Sequence, residues 1–217
     1  MAQGLIPQYW KEACETLSQA DPIMARIIEV VGRDNVLQSR GQPFETMLRS
    51  IVGQQISTRA ANAIWERFQK ACPELEPRKI MRKHRKTLRS TGLSERKIDY
   101  ILDICRFFDE EIQGEGFLES LKDEAIIEKL VTIKGVGEWT AQMFLIFALL
   151  RPNVLPLADL GLIRAIEVNY FPNGGFSGMT SVERMNAIRK VSEKWQPWQT
   201  VATWYLWRSL QNGQIQY

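Results

Sequence analysis

Apolar residues recur along this chain at intervals of three and four, the spacing that lines one face of an α-helix. No convincing run alternates apolar with polar residues, so the expected fold class is all-α. Tyr9-Trp10 to Leu17 carries the first stripe. Asp21-Pro22 is a helix start signal, with proline at the first helical position, and Ile23, Ile27, Ile28 and Val31 follow on one face. A stripe entered through Pro43 holds Phe44, Met47, Leu48, Ile51 and Val52. Ser57-Thr58 can cap a helix bearing Ala61, Ile64, Trp65 and Phe68. Ser94 opens a long helix bearing Ile98, Ile101, Leu102, Cys105 and Phe108. Leu121–Leu130 and Trp139–Leu150 read as helices, and Val182–Leu210 as two more, split at Pro197. Tyr170 to Gly178 is a loop by its turn chemistry. There is no low-complexity tract and no repeat.

Composition narrows the function classes. At 217 residues, 45% hydrophobic and 24% charged, the chain can bury a core without staples. Its longest apolar run, Met143–Leu150, falls far short of the roughly 20 residues a membrane span needs. The N-terminus lacks the marks of a secretory signal. Cys14, Cys72 and Cys105 are far apart and odd in number, and His84 is the single histidine. Neither a disulfide framework, a thiolate metal cluster nor a zinc site follows. His84 lies in a basic run, a poor place for an orienting carboxylate, and reads as a solvated surface residue. Arg78–Lys97 holds nine Lys or Arg and one acid in a chain of net charge +3. Such a cluster can follow a phosphate backbone, or it is simply a solvated face.

The most informative segment is Val131-Thr-Ile-Lys-Gly-Val-Gly-Glu-Trp-Thr-Ala141. One apolar helix ends near Leu130, two glycines follow, and a second helix starts at once. Glycines permit a tight turn and leave backbone N–H groups uncovered at the next helix N-terminus, where the dipole also favours a phosphate. An ordinary glycine-containing turn between helices reads the same way. Further on, Asp159 stands in an otherwise apolar stretch just before a helical pattern of Leu162, Ile163 and Ile166. It can cap that helix, and a carboxylate there also suits a reaction in which positive charge develops on a sugar.

From Phe44 to Leu210 these elements, in this order, resemble the helix–hairpin–helix base-excision DNA glycosylases, specifically the 3-methyladenine DNA glycosylase II branch in a compact form without an N-terminal β-domain. Ile51-Val-Gly-Gln-Gln-Ile-Ser57 is similar to the family's DNA-entering loop, and Ile133–Ala141 to its hairpin. Asp159 falls on the catalytic aspartate, and Trp195-Gln-Pro-Trp198 through Trp207 resembles the C-terminal helix. The resemblance implies two helical lobes with the active-site cleft between them. We expect a central lobe of about 40–130, and a hairpin-containing lobe of about 131–217 joined by 1–40.

The resemblance also implies roles. Gln55 would wedge into the gap left by a flipped nucleotide, with Ile56 its nearest rival; the alternative is that Gln54 and Gln55 cap local backbone. Lys134, Gly135, Val136, Gly137 and Thr140 would form the phosphate-binding hairpin. Trp139 and Trp207 would stack on a cationic alkylated base, unless both are plain core tryptophans. Met143 takes a pocket position where some relatives have tyrosine. The carbonyls of Val131, Ile133 and Val136 would bind a monovalent cation, Na⁺ or K⁺. No other cofactor is implied, and no iron–sulfur cluster, since no cysteine lies beyond Cys105. Bifunctional relatives place a lysine nucleophile where Trp139 stands, so a monofunctional enzyme releasing alkylated purines and leaving an abasic site is expected. A glycosylase/lyase for oxidised bases and a non-catalytic helix–hairpin–helix module are the alternatives. The expected partner is double-stranded DNA with alkylated bases and the expected state a monomer. The expected location is the cytoplasm, at the nucleoid in a bacterium, or the nucleus in a eukaryote. The preferred lesion stays open.

Overall fold

A computed structural model of the chain describes residues 5–39, 41–112, 114 and 116–210. Among them regular structure is helical throughout, as the periodicity predicts. The helices are α1 (Trp10–Ala20), α2 (Pro22–Val31), α3 (Pro43–Gly53), α4 (Thr58–Ala71), α5 (Pro77–Met81), α6 (Arg85–Ser90) and α7 (Glu95–Glu110). After them come α8 (Phe117–Ser120), α9 (Asp123–Leu130), α10 (Glu138–Phe147), α11 (Leu160–Tyr170), α12 (Ser181–Ser192), a short 3₁₀ turn and α13 (Gln199–Ser209). The expected caps form: Ser57 accepts the Ala60 N–H, Ser94 the Lys97 N–H and Asp21 the Ile23 N–H.

The chain divides into two compact units, Met1–Ser39 with Leu150–Gln216, and Arg40–Leu149. The boundary expected near residue 130 therefore falls after Leu149, and the hairpin belongs to the second unit. The reason is packing. α10 lies against both α9 and α3 and buries Ala141, Phe144 and Leu145, so it cannot be separated from the segment that starts at Pro43. The outer ends of the expected division, 1–4 and 211–217, lie outside the described residues.

In the unit built from both chain ends, α1 and α2 pack on each other and on α13, and α11 also packs on α13. Leu17, Met24, Ile28, Ile166, Trp195, Tyr205 and Leu206 are almost wholly buried there. Asp21, read from sequence as a helix start, is itself fully buried. Its Oδ2 accepts hydrogen bonds from the Tyr170 hydroxyl (2.5 Å), Trp195 Nε1 (2.9 Å) and Lys194 Nζ (3.1 Å).

In the second unit α7 is the spine, packed against α3, α5 and α6, while α3 also meets α4. The basic run is not one helix. It spans α5, α6 and the start of α7, which bury Ile80, Leu88 and Ile98 and turn most charges outward. Arg78 pairs with Asp109 (2.7 Å), and Arg85 with Glu95 (2.7 Å) and Asp99 (2.8 Å). Exposed pairs like these contribute about 0–1 kcal/mol each. His84 is exposed at the N-cap of α6.

Candidate active site

The unit containing α11 and α13 holds Asp159 and Trp207. Asp159 is the N-cap of α11, and its Oδ1 accepts the Leu162 N–H at 2.7 Å. The same oxygen accepts the indole N–H of Trp207 at 2.8 Å. The carboxylate is 4% exposed and sits at a helix N-terminus, where the dipole favours an anion. The capping reading of Asp159 holds, and the same side chain is also bound by a tryptophan 48 residues away. Trp207 is buried, and its partner decides how its ring lies. Leu160, beside Asp159, is 81% exposed; an apolar side chain so placed had escaped the sequence reading.

The second unit holds the other predicted residues. Between α3 and α4, Gln55 adopts a left-handed backbone (φ 59°), uncommon for a residue with a side chain. Gln55 and Ile56 are exposed at the tip of this loop. Gln54 does not cap local backbone: its side-chain amide donates to the carbonyl of Gly135 at 3.0 Å. The hairpin is α9, a turn over residues 131–137, and α10. Ile133 and Val136 are buried and anchor the turn, and the Val136 N–H donates to the Ile133 carbonyl at 3.1 Å. Gly135 has φ 83°, and a Cβ there would collide with the ring of Tyr100. Gly137 is the N-cap of α10, in extended backbone and with no side-chain cap hydrogen bond.

Two hairpin residues differ in detail from the expectation. Lys134 spends its N–H on Asp103 Oδ2 (3.0 Å). Thr140 is buried, and its side chain lines a cavity of about 30 Å³ with Thr46, Ser50 and Met143. Position 140 thus falls on the face of α10 turned toward α3. Trp139, one residue earlier, is 39% exposed, so it is not a core tryptophan. Met143 stands one turn beyond it and is half-buried.

Burial pushes the Cys105 thiol up to about 12 and raises those of Cys14 and Cys72, so none is a thiolate nucleophile near neutrality. Among the described residues no group of three or more His, Cys, Asp or Glu could hold a metal ion. No described helix is long and apolar enough to cross a membrane.

An all-helical chain with a glycine hairpin, and with an aspartate held by an indole at a helix N-terminus, belongs to a defined class. Residues 48–195 match the family model described as HhH-GPD superfamily base excision DNA repair protein, and the chain belongs to that family. Among its relatives is DNA-3-methyladenine glycosylase 1 of Schizosaccharomyces pombe, 32% identical over 89% of this chain and 84% of the relative. Its fold is similar to that of the Bacillus halodurans DNA-3-methyladenine glycosidase, with TM-score 0.77, 33% identity, and 89% and 86% of the two chains covered. It is also similar to the Schizosaccharomyces pombe 3-methyladenine DNA glycosylase in complex with abasic DNA, with TM-score 0.75, 29% identity, and 95% and 100% covered.

Proposed function

We propose that this protein is a monofunctional DNA glycosylase that flips alkylated purines out of duplex DNA and hydrolyses their glycosidic bonds, leaving an abasic site. The observation that carries this reading is Asp159, a buried carboxylate whose Oδ1 is held by both the Leu162 N–H and the Trp207 indole. Family membership and relatives named 3-methyladenine glycosylases support it.

The roles follow from charge. Alkylation at N3 or N7 makes the purine cationic, which weakens the glycosidic bond and draws the base to electron-rich rings. Each cation–π contact contributes roughly 0.5–2 kcal/mol. Trp207 in one unit and Trp139 in the other would each offer such a ring, and Met143 a polarisable, adaptable side chain. As the bond to the base breaks, C1′ becomes positive. Asp159 would stabilise that charge and orient the attacking water, whose oxygen forms the new bond to C1′ while its proton passes by way of the carboxylate to solvent. The departing base takes both electrons of the broken bond and leaves neutral, so little acid catalysis is required. Gln55 would fill the vacated place in the stack, with Ile56 beside it. The amides at Gly135–Gly137 would grip one phosphate without reading sequence.

The same turn would hold Na⁺ or K⁺ through the carbonyls of Val131, Ile133 and Val136. Three carbonyl oxygens suit a hard monovalent cation. The Ile133 oxygen, which accepts one N–H, keeps a second lone pair for it. A bound cation supplies positive charge beside the gripped phosphate.

Asp159→Asn is the decisive variant. Asparagine caps helices about as well as aspartate, and its carbonyl can still accept from Trp207, so the melting temperature should stay close to wild type. The rate of alkylated-purine release should fall on the order of 100–1,000-fold. A variant that melts normally and cleaves within about threefold of wild type removes Asp159 from the mechanism, since threefold is under 1 kcal/mol.

A further inference from the structure

The first turns of α7 carry Lys97, Tyr100 and Asp103 at intervals of three, so they stand in one row along the helix. Each engages a different piece of the DNA-facing machinery. Lys97 Nζ donates to the carbonyls of Val52 (2.7 Å) and Gln54 (2.8 Å), at the end of α3 and the entry to the wedge loop. The Tyr100 ring occupies the space that any side chain on Gly135 would need. Asp103 Oδ2 accepts the Lys134 N–H at 3.0 Å. Gln54 closes the circuit, since its side-chain amide reaches the Gly135 carbonyl 81 residues further along.

We propose that Lys97 and Gln54 are positioning residues that lock the wedge loop to the phosphate hairpin, so that gripping the backbone and entering the base stack occur as one event. The proposal rests on the glycosylase reading above. The loop needs such a strut. Gln55, Ile56 and Ser57 are exposed and have little apolar burial of their own to hold them. Gln55 also sits in left-handed backbone, which a residue with a side chain adopts only where its surroundings hold it. Lys97 is spent inward on two backbone carbonyls, and burial lowers its pKa. Its ammonium is therefore not placed to meet a phosphate; it acts through the loop. Misplacing a reacting or inserting group by about 1 Å can cost 100-fold in rate, and a wedge that drifts relative to the anchor is misplaced in this sense.

The test uses the full chain, with Lys97→Met, Gln54→Leu and the conservative Lys97→Arg. Three quantities are measured: affinity for undamaged duplex, single-turnover base release from alkylated duplex, and release from the same sequence single-stranded. Lys97→Met should lower release from duplex by about 10–100-fold. It should leave duplex affinity and single-strand release within about threefold, because only the duplex presents a gap to fill. Lys97→Arg can still donate to two carbonyls and should restore most of the loss. Gln54→Leu removes one surface link while keeping both Lys97 bonds, so it should fold normally and shift the duplex-to-single-strand ratio in the same direction. The double variant should be little worse than the worse single one, since both cut one strut. Equal losses on the two substrates, or an unchanged ratio in Gln54→Leu, would overturn the proposal. If the wild-type chain releases no alkylated purine from either substrate, the glycosylase reading fails first and the strut falls with it, an outcome visible before any variant is made.

Discussion

Asp21 and Asp159 are both N-cap aspartates, yet their neighbours give them different work. Asp21 is fully buried, and each donor around it favours the ionised form. Burial pushes its carboxyl pKa up, but hydrogen bonds from Tyr170, Trp195 and Lys194 outweigh that and hold it below the usual carboxylate range. The sign of the linkage follows. A depressed folded-state pKa contributes stability that is present above the unfolded value, about 4, and is lost as pH falls through the folded value. Asp21→Asn should cost about 3 kcal/mol at pH 7, because it removes one partner of a buried charged cluster and turns an amide toward donors. Thermal melts of wild type and variant should converge as pH drops below about 4. A gap that stays constant from pH 7 to pH 3 would show that the charge of Asp21 is not what stabilises the unit. Little of this was readable in the sequence. The Asp21-Pro22 start signal is local, whereas Tyr170 and Trp195 lie 149 and 174 residues away and are brought there only by the fold.

The hairpin separates two demands that its glycines place on the chain. Gly135 has a positive φ and lies against Tyr100, so Gly135→Ala must adopt a left-handed backbone and displace the ring. That should lower the melting temperature by several degrees, at about 1–2 kcal/mol for the backbone alone. Gly137 has an ordinary φ of −96°, and a Cβ there meets nothing within 4 Å. Gly137→Asp should therefore melt like wild type and lose affinity for all duplexes alike, because it sets a like charge at the proposed phosphate site. Calorimetry and anisotropy over a salt series would separate the two; undiminished duplex binding by Gly137→Asp would move the anchor elsewhere. Helices of ten or more residues were legible because their apolar faces repeat, and the hairpin because its glycines and helix end are neighbours in sequence. The short α5 and α6 were not, since each offers a single fully buried apolar residue, Ile80 and Leu88. The row of Lys97, Tyr100 and Asp103 was hidden for another reason. Lys97 ends a basic run, and its charge gives no sign that it points inward to two carbonyls. The lobe boundary was missed because packing of α10 on α3 is a contact between distant segments.

For the whole molecule, the chemistry expected of the assembled protein is hydrolysis without strand cleavage. A bifunctional enzyme attacks C1′ with an amine and passes through a Schiff base that borohydride traps. Here the position after the hairpin is Trp139, and Lys134 lies on the other side of the glycines, before the turn. Borohydride added during turnover should yield no covalent protein–DNA adduct, and strands should break only after alkali. A stable adduct would reassign the chain to the lyases. The division of the chain has a further consequence for synthesis. The unit that holds Asp159 and Trp207 is assembled from Met1–Ser39 and Leu150–Gln216, whereas Arg40–Leu149 is contiguous. On a ribosome adding about 5–20 residues per second, the apolar faces of α1 and α2 wait on the order of ten seconds for α13 to emerge. Meanwhile the contiguous unit, with its hairpin and wedge loop, has all the residues it buries. A chain ended after residue 149 would therefore contain Gln55 and the Gly135–Gly137 turn but neither Asp159 nor Trp207.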